Sequence, residues 1–173
     1  MLACGRSAAM KRTMMRTAPA LDPPLAEALA ILAAAMRDVR EPWWIIGSAA
    51  MALHGVRPLV VGDLDLLTGP AEARRLLGAW GVRDDASSSL GRFWSEAFGR
   101  WRAGTLPVDV MGGFHVRVGD EWRPVQPQTR KAVRAGEALL FVPSLDELAE
   151  MCRLFGRPKD LERERLIAAH RPA

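Results

Sequence analysis

Asp63 and Asp65 stand two residues apart in an otherwise apolar run from Val60 to Leu67, and Asp109 stands alone in Leu106-Pro107-Val108-Asp109-Val110-Met111. Residues two apart on a strand project from one face, so Asp63 and Asp65 are predicted to point the same way. A buried carboxylate without a partner is costly, and it shifts its pKa or acquires a cation. If the three converge, their like charges repel until a divalent ion binds between them, and an oxygen-only donor set favours magnesium or manganese. Two such ions, about 3.5 to 4 Å apart, would clamp the attacking and leaving oxygens of an in-line phosphoryl displacement. The other half of that chemistry lies upstream, where Trp43-Trp44-Ile45-Ile46 runs into Gly47-Ser48. Glycine permits close backbone approach, the N–H groups of a helix start attract an anion such as a triphosphate, and Ser48 could add a hydroxyl donor.

The elements that must position these residues follow from the apolar pattern. Leu25, Leu29, Leu32 and Met36 recur at helical spacing behind Asp22 and two prolines, which predicts a first helix ending near Val39. Trp43 to Ile46 reads as a buried strand, Ser48 to His54 as a short helix closed by Gly55, and Val60 to Leu67 as the strand of the paired acids. A helix from Pro70 ends at Gly81, and Leu106 to Met111 is a third central strand ended by Gly112-Gly113. Val116 to Trp122 reads as a hairpin arm, Ala138 to Val142 as a last short strand, and Ser144 to Phe155 and Pro158 to Ala169 as a closing helical pair. The stretch from Asp84 to Gly104, with a serine run and then aromatics among arginines, reads equally as strand, helix or mobile flap.

The chain has 173 residues, 49% hydrophobic and 25% charged, the balance of an ordinary globular protein with material for one core. Four of the 24 basic residues, Arg6, Lys11, Arg12 and Arg16, fall in residues 1–20, which hold no acid, so the rest of the chain carries twenty bases against twenty acids. A body of zero net charge weakens a phosphate-backbone binding reading. Residues 1–20 read as a disordered basic extension and 21–173 as one domain. No apolar stretch approaches the about 20 residues of a membrane span, no secretory core follows the first Met, and Cys4 and Cys152 have no metal-ligand spacing. The expected location is the cytoplasm.

Together, Ile45-Ile46-Gly47-Ser48, Asp63-Leu64-Asp65-Leu66 and Val108-Asp109-Val110 resemble the polymerase-beta-like nucleotidyltransferase superfamily. The run Pro143-Ser144-Leu145-Asp146-Glu147-Leu148 and then Gly156-Arg157-Pro158-Lys159-Asp160-Leu161 is similar to the tail of small bacterial members related to toxin–antitoxin and abortive-infection nucleotidyltransferases. The resemblance spans roughly residues 25 to 168. It implies an α/β (α+β) fold, a mixed sheet flanked by helices with a C-terminal helical pair, and transfer of a nucleoside monophosphate from a triphosphate to a hydroxyl, releasing pyrophosphate. Asp63 and Asp65 would ligate metals and phosphates, Asp109 would complete the second metal site, and Gly47 and Ser48 would contact the β- and γ-phosphates. Related small members often carry Thr two residues before the first acid and Lys in the penultimate helix, where this chain has Val61 and Cys152. Lys159 remains available to reach a phosphate from the last helix.

Alternatives stay open at this stage. Asp109 could pair with an arginine from the Arg92 to Arg102 region, Gly47-Ser48 could be a plain helix start, and Lys159 with Asp160 a structural pair or cap. His54 at a helix end reads as a favourable imidazolium, and His115 as a surface strand residue. The donor is expected to be a ribonucleoside triphosphate with Mg2+ or Mn2+. The acceptor could be a tRNA end, a protein hydroxyl or a small molecule. A catalytically weak binding or regulatory module, such as the partner protein of a toxin–antitoxin pair, is the other reading.

Overall fold

The computed structural model describes residues 15–86 and 91–170. Expectations placed on residues 1–14, Cys4 among them, and on the serine run at 87–89 lie outside the described residues. In chain order, Arg16–Thr17 form a short strand, β1. Helix α1, Pro23–Ala35, begins with two prolines, where their missing N–H groups cost nothing, and buries Leu25, Ala28, Leu29 and Leu32. Strand β2, Trp43–Ile46, meets Gly47, whose φ of +66° turns the chain at once into α2, Gly47–His54. Gly55, at φ +90°, closes that helix. Then come β3, Leu64–Thr68, and α3, Pro70–Ala79. Four strands follow before the last hairpin closes: β4, Phe93–Trp101; β5, Val108–Val118; β6, Glu121–Pro124; and β7, Lys131–Ala135, which pairs with β8, Ala138–Val142. Helix α4, Leu145–Phe155, is capped by the Ser144 hydroxyl accepting from the Glu147 N–H, and α5 is Pro158–His170.

Two sheets result. The larger has the order β2-β3-β5-β4 with β6 also on β5, and the smaller the order β1-β7-β8. Strand β5 is the axis: parallel β3 and antiparallel β6 share one of its edges, and antiparallel β4 runs along the other. Helix α3 packs on β4 and β5, α1 on β7 and β8, and α4 pairs with α5 and touches β5. Leu29 and Leu32 of α1 and Leu64 and Leu66 of β3 are fully buried, each contributing about 1.5–3 kcal/mol of transfer free energy. The mixed α+β architecture with a C-terminal helical pair is the expected one.

Several local expectations are corrected. The acid-bearing strand begins at Leu64 and not Val60, because β2 ends its pairing at the Ile46–Asp65 rung and β5 at the Leu64–Val108 rung, leaving residues 60–63 no strand to pair with. Gly112-Gly113 does not end the third strand. The ladder from Phe93–Val116 to Trp101–Val108, which skips the Glu96–Gly113 rung, carries β5 past both glycines, and a Cβ at Gly112 would strike Ala73, Pro70 and Ala97. Tight helix-on-sheet packing, not chain termination, explains that glycine. The expected arm from Val116 to Trp122 is split between the end of β5 and β6 around Gly119. The ambiguous Asp84 to Gly104 stretch holds β4, and β7 was not anticipated. Within the expected disordered extension, Arg16–Thr17 pair with Val133–Arg134 of β7, and the Ala18 N–H donates to the Arg134 carbonyl at 2.8 Å.

Candidate active site

The acids meet at the junction of β3, β5 and β4. Asp65 and Asp109 are directly paired on the parallel strands β3 and β5, and Arg100 of β4 lies opposite Asp109 in register. Asp63 sits in a bend just before β3, so Asp63 and Asp65 are not two rungs of one strand as expected. The Arg100 fork donates from Nε to Asp109 Oδ1 at 2.6 Å and from Nη2 to Asp109 Oδ2 at 2.7 Å. The same Nη2 lies 4.0 Å from Asp63 Oδ2, so one guanidinium corner serves both carboxylates. Asp65 receives no hydrogen bond among the described residues. Burial first, and then the charges of Asp63 and Asp109, push its carboxyl up from 3.8 to about 7.

Gly47 lies against this group. A Cβ built at Gly47 would collide with Asp65 Oδ2, so a side chain is excluded by both the positive φ and the neighbouring carboxylate. The first turn of α2 therefore starts beside the acid with its backbone exposed to the same space. Ser48, next to Gly47, is buried at 1% exposure and is not among the residues lining the cavity beside the acids.

A cavity of about 180 Å³ opens from the acids toward α4 and α5. Its polar side carries Asp65, Asp109, Arg100, Arg157, Asp160 and Arg163, and its apolar side carries Phe93, Trp94, Phe114 and Phe155 with methionines. Phe93, Phe114 and Phe155 pack mutually, with ring centroids 5.4 to 5.8 Å apart, and the Arg157 guanidinium lies 4.5 Å over the Phe93 ring. Lys159 is exposed and outside this lining. Asp160 does not pair with Lys159 but with Arg157, which donates from its backbone N–H, Nε and Nη2.

Sequence reasoning brought Asp63, Asp65, Asp109 and Gly47 together, offered an arginine of the Arg92 to Arg102 region as a partner of Asp109, which is Arg100, and missed Arg157 and Arg163. No local signal marked Arg163, since Lys159 four residues earlier has the same charge and lies outside the lining. His54 also differs from expectation. It is buried, its Nε2 donates to the Pro143 carbonyl at 2.7 Å, its Nδ1 faces Arg16 at 3.2 Å, and desolvation lowers its pKa, so the ring is neutral and structural.

The acid corner fits a divalent cation in donor chemistry: Asp65 is an oxygen donor short of positive charge, with Asp63 beside it. Asp109 is preoccupied by Arg100, and among the described residues no three acid, His or Cys side chains are already arranged as a metal cage. A metal here would be held by Asp63 and Asp65, and by Asp109 once Arg100 swings away. No helix among the described residues is long and apolar enough to cross a membrane.

No protein-family model matches the sequence, and no curated protein does. Solved structures do. A Thermotoga maritima protein provisionally called a nucleotidyltransferase superposes with a TM-score of 0.66 at 23% identity, over 83% of this chain and 92% of that one. An antigenic nucleotidyltransferase-like protein from Paracoccidioides brasiliensis gives 0.56 at 17% identity, over 88% and 77%. The antibiotic-resistance factor ANT(2'')-Ia gives 0.50 at 16% identity, over 82% of each chain. At these identities the likeness speaks for architecture alone, and the conclusion it carries is that this chain has the nucleotidyltransferase fold.

Proposed function

We propose that the protein is a metal-dependent nucleotidyltransferase that moves a nucleoside monophosphate from a ribonucleoside triphosphate to a hydroxyl acceptor and releases pyrophosphate. The observation that carries this reading is the Asp65–Asp109 rung beside Gly47, with an under-neutralised carboxyl at the mouth of a cavity. An acid raised to about 7 in the metal-free protein marks a place where negative charge is concentrated without enough compensation, as a cation site requires.

Asp63 and Asp65 would hold Mg2+ or Mn2+, with Asp109 joining, and the ion would neutralise the phosphates and polarise the transferred phosphorus. Gly47 lets the triphosphate approach the backbone N–H groups opening α2, which favour an anion. Asp109, once released from Arg100, would accept the acceptor hydroxyl's proton. Arg100 lies beside both Asp63 and Asp109, so it can hold the acids together before the ion arrives. The aromatic side of the cavity excludes water and offers flat apolar surface to a ring. Incubation with each labelled triphosphate, magnesium and cell extract tests the assignment. Label on tRNA, on a protein or on a small molecule names the acceptor, and no incorporation with any triphosphate rejects transfer.

The Arg100 fork on Asp109 favours a second reading, a binding module whose third acid is spent on an internal ion pair. The toxin–antitoxin role rests on the likeness of the C-terminal residues and belongs with this reading. Manganese titration separates the two. Transfer requires the ion to displace Arg100, so the wild type should bind manganese in the presence of triphosphate and Arg100→Gln should bind it more tightly, whereas a module with a spent acid binds none as wild type and gains binding only in Arg100→Gln.

A further inference from the structure

Helix α4 offers the cavity no cation. Cys152 occupies its lining there, and burial pushes the thiol up to about 11, so the group stays neutral. Lys159 is outside the lining. A triphosphate nevertheless carries more negative charge than Gly47 and the helix start can meet, and the acids beneath add to it. Positive charge must come from another element.

Helix α5 supplies it through a built arrangement. Asp160 is 1% exposed, and an isolated carboxylate at that depth would cost several kcal/mol. Arg157 satisfies it completely in geometry: Nε and the backbone N–H donate to Oδ2 at 2.6 and 3.2 Å, and Nη2 to Oδ1 at 3.0 Å. Arg163 is held differently. Its Nη1 lies 3.7 Å from Asp160 Oδ1, within ion-pair range and too far for a hydrogen bond, and it donates to no acceptor among the described residues. Only 21% of its side chain is exposed, and it lines the same cavity as Asp65. Asp160 thus holds a guanidinium whose donors remain unspent in the same cavity as the acid corner.

We propose that Arg163, held by the buried Asp160–Arg157 pair, is the phosphate-binding cation of this site and takes the outer phosphates of the donor triphosphate. The inference rests on the nucleotidyltransferase reading of the cavity and adds the residue that grips the leaving pyrophosphate. A polyphosphate is the ligand that suits a forked cation and cation-loaded carboxylates lining one cavity. A neutral hydroxyl acceptor has no use for the charge.

Titration calorimetry in magnesium tests it, with inorganic tripolyphosphate, the four non-hydrolysable nucleoside triphosphates and the four nucleosides as probes. Arg163→Gln should weaken tripolyphosphate and the preferred triphosphate at least about tenfold and leave the matching nucleoside unchanged. The double variant Cys152→Lys with Arg163→Gln should recover part of the loss, because a cation is restored to the same cavity. Asp160→Asn, which releases Arg163, should weaken tripolyphosphate while the nucleoside again stays unchanged. Equal binding of tripolyphosphate by wild type and Arg163→Gln overturns the proposal. So does an equal loss for nucleoside and triphosphate, which would make Arg163 a prop of the cavity wall. Wild type that binds no triphosphate and no tripolyphosphate sinks the nucleotidyltransferase reading itself, and this inference with it.

Discussion

Two carboxylates about the same cavity are treated oppositely by the fold. Asp160, at 1% exposure, is met by three Arg157 donors and by the Arg163 charge, while half-buried Asp65 receives no hydrogen bond among the described residues and faces two more acids. The first is how a protein normally buries a charge. The second keeps a cost that packing could have removed, for instance by an arginine directed at Asp65 as Arg100 is directed at Asp109. The difference separates an acid that holds structure from one kept available for a ligand.

The largest expected effect breaks the comparison at its functional end. Asp63→Asn and Asp65→Asn should each lower nucleotidyl transfer about 10³-fold or more, since each removes a ligand of a cation worth several kcal/mol to the transition state. Initial rates with saturating labelled triphosphate measure this, and retained activity would mean that the acids hold no catalytic ion. At the structural end, Asp160→Ala should cost about 3 kcal/mol in urea unfolding, because it strands two guanidinium groups.

Asp65→Asn should do the opposite to stability. In the metal-free protein the folded carboxyl titrates near 7 against an ordinary 3.8, so its favourable, protonated form is fully present below pH 4 and is lost as the pH rises to 7. The variant should therefore be more stable than wild type by about 1–3 kcal/mol at pH 8 and indistinguishable from it below pH 4. A flat difference across that range would show that Asp65 is neutralised by some group of the protein.

Smaller effects sharpen the contrast. Gly47→Ala should cost about 1–2 kcal/mol, for the residue must hold φ +66° while its Cβ meets Asp65, and it should weaken tripolyphosphate binding. The smallest concerns His54, whose lowered pKa means that the unfolded chain takes the proton first. Stability should fall modestly as pH drops below about 6.5, and His54→Gln should flatten that limb of the pH–stability curve.

Local chemistry determined much of this molecule. The Gly47 break between Ile46 and α2, the Gly55 and Gly156 caps, the two prolines opening α1 and the Ser144 cap all follow from residues within a turn of where they act. The three acids were legible because Asp amid Leu and Val is costly anywhere, whatever the tertiary partners. Strand limits were not legible, since a strand extends as far as its neighbours do. Residues 60–63 had the composition of β3 without a partner, and Gly112-Gly113 had the composition of a break while β4 ran beside them. Strand β4 itself, with Phe93, Trp94 and Arg100 on an alternating pattern obscured by Gly99 and Ser95, became a strand only against β5. The sequence could name a region for the partner of Asp109 but not the residue, for the same reason. Nothing local distinguishes Arg100, which reaches Asp109, from Arg102 two residues on, or Arg163 from Lys159, until the sheet register and the α4–α5 pairing fix which side chains share a cavity.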